Sequence, residues 1–175
     1  MTSPINARHD LFQRLYFDER TQRDLIRGSI GTPVAAISFS VFAFGTLVTE
    51  FDMTQWRQPA SIFIIALACG SIAAMFAAIY HVVMVEWLFV YYEPPDLHEL
   101  LAAEERIRAE RPDQVETQLT ELMTASYFIG YQQYLCGNTV SARNRTWALR
   151  LVMASLLQQA VCFLLLPIHL AGSGG

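Results

Sequence analysis

Charged and apolar positions are segregated along this chain into long blocks, and the length of each block predicts an element. From Ala60 to Val85 the sequence reads ASIFIIALACGSIAAMFAAIYHVVMV, 26 residues without an acidic side chain or an arginine. A helix of that length rises about 39 Å, against a bilayer hydrocarbon core roughly 30 Å thick. Two further runs share this character. Gly31 to Thr49 is uncharged, though softened by Ser38, Ser40 and Gly45; Leu151 to Leu170 follows Arg150 and contains Gln158, Gln159 and Pro167. The pattern predicts an all-α integral membrane protein with three transmembrane helices and a helical cytoplasmic segment.

The blocks between the spans are charged. Residues 1–30 read as an N-terminal amphipathic helix: Ser3 and Pro4 supply a cap and a first-turn proline. Leu11, Phe12, Leu15, Tyr16, Gln22 and Ile26 fall near one face, which Arg8, Glu19 and Arg23 interrupt. Such a helix either lies on the membrane surface or packs on another part of the chain. Gly28, Gly31 and Pro33 end it. Residues 31–92 then carry transmembrane helices 1 and 2, 93–147 the cytoplasmic segment, and 148–171 transmembrane helix 3. Within the cytoplasmic segment, Pro94, Pro95 and Pro112 bracket one helix from Asp96 to about Glu110. After Asp113, a candidate cap, no proline occurs before Pro167, so the next helix is free to run into the third span, with Gly130 and Gly137 as candidate hinges. Tyr127, Tyr131, Tyr134, Asn138, Ser141 and Arg145 repeat at steps of four and three and share one face. That face is either a packing seam between helices or a surface for a ligand or partner protein.

Trp56, Trp87 and Trp147 mark three span ends, where an indole places its apolar body and its N–H donor in suitable surroundings. Arginine placement orients the spans. Five of the 12 precede the first span, six lie between residues 106 and 150, and Arg57 stands alone in the loop after the first span. By the positive-inside rule the N-terminus is cytoplasmic and the C-terminus outside. A rival four-span topology would use Leu122 to Ala142, also uncharged. Gln132, Gln133, Asn138 and three Tyr make that run expensive in hydrocarbon.

Composition narrows the function. Only 16% of residues are charged and the net charge is −4, with no lysine at all. An acidic chain lacks the basic surface that nucleic-acid phosphates require. Cys69, Cys136 and Cys162 are widely spaced, so neither a disulfide framework nor a metal site is expected. His98-Glu99-Leu100-Leu101-Ala102 opens like a zinc-protease motif, but Ala102 stands where the second histidine belongs. No catalytic constellation and no cofactor motif is present, and the chain is read as no enzyme. His81 and Glu86 form an ionisable pair at the inner end of the second span, read as reaching the interface before any ion path.

Helix association is better signposted. Ala66, Gly70, Ala74 and Ala78 form a small-residue ridge that lets backbones approach. Gln158 and Gln159 can hydrogen-bond across an interface within the span. The partner helix is either another span of this chain or another copy.

The stretch from Tyr131 to Ala154 resembles the SLATT-type small membrane proteins of prokaryotes. Asn138, Arg145, Thr146 and Leu149 fall where that pattern has Asn, Arg, a small residue and Leu; Ala142 replaces its second Asn, and three spans replace its usual two. The resemblance implies an oligomerising inner-membrane effector of bacterial antiviral or conflict systems, forming pores when a cytoplasmic sensor is triggered. The alternative is a non-enzymatic membrane accessory or scaffold protein that docks a cytoplasmic partner. The expected partners are the lipid bilayer, further copies of the chain, and a cytoplasmic sensor.

Overall fold

The computed structural model describes residues 4–87 and 93–171, apart from the side chains of Gln55, Glu86 and Trp87, so the expected interfacial role of Trp87 lies outside what is described. Every described element is helical: α1 (Pro4–Gly28), α2 (Gly31–Glu50), α3 (Pro59–Trp87), α4 (Leu97–Glu110) and α5 (Val115–Ala171), with short 3₁₀ turns at Met53–Gln55 and Pro112–Gln114. Three helical stretches are long and apolar enough to cross a membrane. Pro33 and Pro59 sit in first turns, where a missing N–H is harmless. Asp96 caps α4 through a capping box, accepting from the Glu99 N–H while the Glu99 carboxylate accepts from its own. Glu99, the acid of the near-zinc motif, is thereby engaged as a cap. Asp113 falls within the second 3₁₀ turn and not next to α5.

α5 runs 57 residues without interruption at Gly130 or Gly137. Its buried positions recur every seven residues: Tyr127, Tyr134, Ser141, Ala148, Ser155, Cys162 and His169. An interleaved series runs Thr124, Tyr131, Asn138, Arg145, Val152, Gln159 and Leu166, with Tyr131 and Arg145 half-buried and the rest buried. A 3.5-residue repeat is the signature of coiled-coil packing.

The chain divides into two compact units. The first comprises residues 1–27 and 88–140. Its core sets Tyr16 of α1 between Tyr127 and Tyr134 of α5, with Phe12, Met123 and Tyr131 packed around them. Ring centroids of Tyr16 lie 5.5 Å from each of those two tyrosines, a favourable spacing for aromatic pairs. The buried face of α1 is the expected one in part: Tyr16 and Ile26 are buried and Phe12 and Leu15 half-buried. Leu11 is 54% exposed and Gln22 is exposed, while Arg23 is buried and Glu19 half-buried. Asn138 donates from Nδ2 to both the backbone oxygen and a carboxylate oxygen of Glu19, each at 2.8 Å. That polar anchor holds Glu19 on the same inward face as Tyr16.

The second unit comprises residues 28–87 and 141–175 and holds α2, α3 and the C-terminal part of α5. α2 buries one residue per heptad, Pro33, Ser40 and Leu47, and α3 does the same through Ile64, Ser71, Ala78 and Val85, with Ser61 buried one turn earlier. These stack in layers with α5. Leu47, Ile64 and Cys162 form an apolar layer. Ser40, Ser71 and Ser155 form a polar one. The outside is apolar, with Phe42 at 73% and Leu164 at 75% exposed.

Candidate functional site

The serine layer lies near the middle of α2 and α3, within the most apolar part of the second unit. Ser155 Oγ is 3.1 Å from Ser40 Oγ and 2.7 Å from Ser71 Oγ. One helical turn further along α5, Gln159 Nε2 donates to Ser40 Oγ at 2.8 Å and Ser71 Oγ at 3.0 Å. Ser40 also points at Met75 Sδ, 3.1 Å away. Gln159 is 2% exposed, and its Oε1 is buried without a hydrogen-bond partner. Small hydroxyls let three helices approach closely and then satisfy one another; in hydrocarbon such groups act as glue.

Gln158 is placed differently. Its amide lies over Gly70: a Cβ built there would meet Nε2 and Oε1 at 3.3 Å each. Oε1 is buried, again with no partner. Of the small ridge, Ala66 is exposed, Gly70 and Ala74 are half-buried, and Ala78 is fully buried inside the same chain. Positions four apart drift about 40° around a helix per step, so this row starts on the outside of α3 and ends in its core.

Two further polar contacts tie the ends of the spans. His169 is fully buried near the end of α5; its Nε2 accepts from the Asp52 N–H at 3.2 Å, and its Nδ1 lies 2.8 Å from Ser61 Oγ. Accepting at Nε2 fixes the tautomer that carries its proton on Nδ1 and donates to Ser61. Phe51 stacks on the imidazole at 4.6 Å, so the loop after α2 is clasped to the end of α5. Toward the other end, His81 Nδ1 and Asn144 Oδ1 are 2.9 Å apart, and Trp147 stacks 6.4 Å from the His81 ring. The Arg150 guanidinium covers Trp147 at 5.5 Å, as Arg57 covers Trp56 at 5.1 Å. Both indoles are exposed.

In the first unit, the Tyr127, Tyr131, Tyr134 and Asn138 face meets α1, and His9 Nδ1 lies 3.2 Å from Thr124 Oγ1. Burial, with Tyr134 adjoining it, raises the Tyr16 phenol above the ordinary tyrosine value. Arg145 is half-buried, and its Nε has no partner. No group of three His, Cys, Asp or Glu side chains gathers among the described residues. The serine layer and the His169 clasp escape a reading of the sequence alone, although the seven-residue spacing of Pro33, Ser40 and Leu47 is visible there. Comparison with protein-family models, curated proteins and solved structures finds no match to this chain.

Proposed function

We propose that the chain is a three-span protein of a prokaryotic inner membrane, with its N-terminus cytoplasmic, that acts as an effector: on a cytoplasmic signal it assembles with further copies and permeabilises the bilayer. One observation carries the membrane reading: the inverted polarity of the second unit. Ser40, Ser71, Ser155 and Gln159 are inside and large apolar side chains outside. In water that arrangement would expose apolar surface while burying hydroxyls. In lipid it is the favourable one, since hydrocarbon offers buried polar groups no other partners. The orientation rests on the arginine asymmetry.

The effector reading is supported by the resemblance of Tyr131 to Ala154 to SLATT-type proteins, and by a polar layer at span mid-depth, where ionisable and polar groups tend to be functional. The experiment is induced expression of the full chain with its neighbouring genes in a bacterium, following dye uptake and membrane potential. Depolarisation with dye entry on triggering is the expected result. A membrane that stays sealed overturns the effector reading. The scaffold reading then takes its place, favoured by the Gln159 amide nitrogen, which finds its acceptors within one chain.

A further inference from the structure

We infer that the wedge between α2 and α3 holds one acyl chain of a phospholipid. This rests on the membrane-spanning reading above and adds to it a lipid site of defined depth. The carrying observation is a cavity of about 270 Å³ inside the second unit, between residues 44–51 and residues 64–72. No lining side chain carries a nitrogen or an oxygen atom. Its floor is the apolar layer of Leu47 and Ile64, with Cys162 of α5 packed against them. The gap exists because Ala68 and Cys69 line it from α3, and both side chains are short. At one end Phe51 is fixed by stacking on His169 at 4.6 Å, so that wall is held in place from behind.

An empty cavity forfeits contacts on every wall, and an apolar one does not fill with water. In a bilayer the group on offer is a hydrocarbon chain. Depth says which part of the bilayer supplies it. From Ile64 to Ile72, α3 rises about 12 Å, close to the depth of one leaflet, roughly 15 Å of the hydrocarbon core. Ile72, at the inner end, adjoins Ser71 of the polar layer. Phe51 and Met53, at the other end, reach the loop where Trp56 is exposed. An exposed indole there marks the headgroup level. A chain lying in the wedge therefore starts at the interface and ends at mid-depth, the path of a phospholipid tail. A side chain from a second copy would enter from the flank and fill only part of that length.

The probe is a phosphatidylcholine with a diazirine at the end of one chain, mixed into vesicles that hold the full protein. Irradiation attaches it to whatever the chain end touches, and mass spectrometry locates the adducts. Ile72 and Leu157 are chemically alike and lie within two residues of Ser71 and Ser155, whose hydroxyls are 2.7 Å apart, so they share one depth. Leu157 is 63% exposed and Ile72 half-buried; exposure alone would label Leu157 the more heavily. On the order of ten additional carbon contacts favour residence in the wedge about tenfold, so Ile72 is expected to be labelled about tenfold more heavily than Leu157. That comparison needs no variant. Ala68→Phe fills the wedge and should bring Ile72 below Leu157, with Leu157 unchanged. The inference is overturned if wild-type Ile72 is labelled no more heavily than Leu157, the result expected of an ordinary lipid-facing surface or of a second copy covering the wedge. It is also overturned if Ala68→Phe leaves Ile72 labelled as before. Labelling at neither position overturns the membrane-spanning reading as well, whereas labelling of Leu157 alone leaves that reading standing.

Discussion

Replacing Gln159 by Leu asks whether the buried amide holds the three-helix unit together. Its nitrogen makes two good bonds, to Ser40 at 2.8 Å and Ser71 at 3.0 Å. Interhelical hydrogen bonds in membranes average about 0.6 kcal/mol and reach about 1.7, so the pair contributes about 1–3 kcal/mol. Against this stands Oε1, buried without a partner, an arrangement that costs about 1–3 kcal/mol. Leucine removes both terms and fills most of the same space. The serines are not orphaned: Ser40 keeps Ser155 and Met75, and Ser71 keeps Ser155 at 2.7 Å. The expected net change is therefore within about 1 kcal/mol of zero. Reversible unfolding in mixed micelles, titrated with dodecyl sulfate and read by circular dichroism, measures it. A cycle with Ser71→Ala should return a coupling of about 0.6 kcal/mol. Destabilisation of about 3 kcal/mol or more would refute the reasoning, because the Oε1 atom would then have to be bonded, for instance to an ordered water.

Three other outcomes are expected. Alkaline phosphatase fused after Leu170 should be active and fused after Arg111 inactive, whereas activity near Thr146 would restore four spans. His169→Leu removes the contacts of the imidazole with the Asp52 N–H and Ser61 Oγ and should speed tryptic cleavage at Arg57; an unchanged rate would mean that the clasp does not hold the loop. The Tyr16 phenol, raised by burial, is neutral in folded and unfolded chains below about pH 10. Above that the unfolded chain ionises first, so stability falls as pH climbs from the ordinary tyrosine value through the raised one. Tyr16→Phe should flatten that fall in a pH series of unfolding curves, and an identical slope would remove Tyr16 as its cause.

The long helices were legible because charge interrupts the apolar runs so sharply: Gly31 to Thr49 became α2 with one residue added, and Ala60 to Val85 became α3 with one added before and two after. The tyrosine face of α5 was legible for the same reason, polar contrast with its surroundings. Its continuation through Ala148, Val152, Ser155 and Cys162 was not. A helix apolar on every side gives no amphipathic signal, and in such a helix the informative residues are the few polar ones, which point inward. On α1 the face through Phe12, Leu15, Tyr16 and Ile26 was legible, with Leu11 and Gln22 falling outside it, but the partner of Glu19 was not, because it is a single amide on Asn138, 119 residues along the chain. The His169 clasp spans 117 residues to Asp52, a pairing no local pattern announces.

The serine layer has a consequence for biogenesis. Membrane proteins are threaded into lipid in order of synthesis, N-terminal segments first. On the membrane-spanning reading proposed above, Ser40 and Ser71 enter the hydrocarbon on α2 and α3 while Ser155 and Gln159 are still unmade. Until the last helix arrives, the two earlier hydroxyls have only each other, Met75 and their own backbone carbonyls to turn to. The last helix in turn carries Ser155, Gln158, Gln159 and His169 through one stretch. On that reading the polar layer is completed only when Ser155 and Gln159 reach Ser40 and Ser71, so α2 and α3 wait as a pair for the end of the chain.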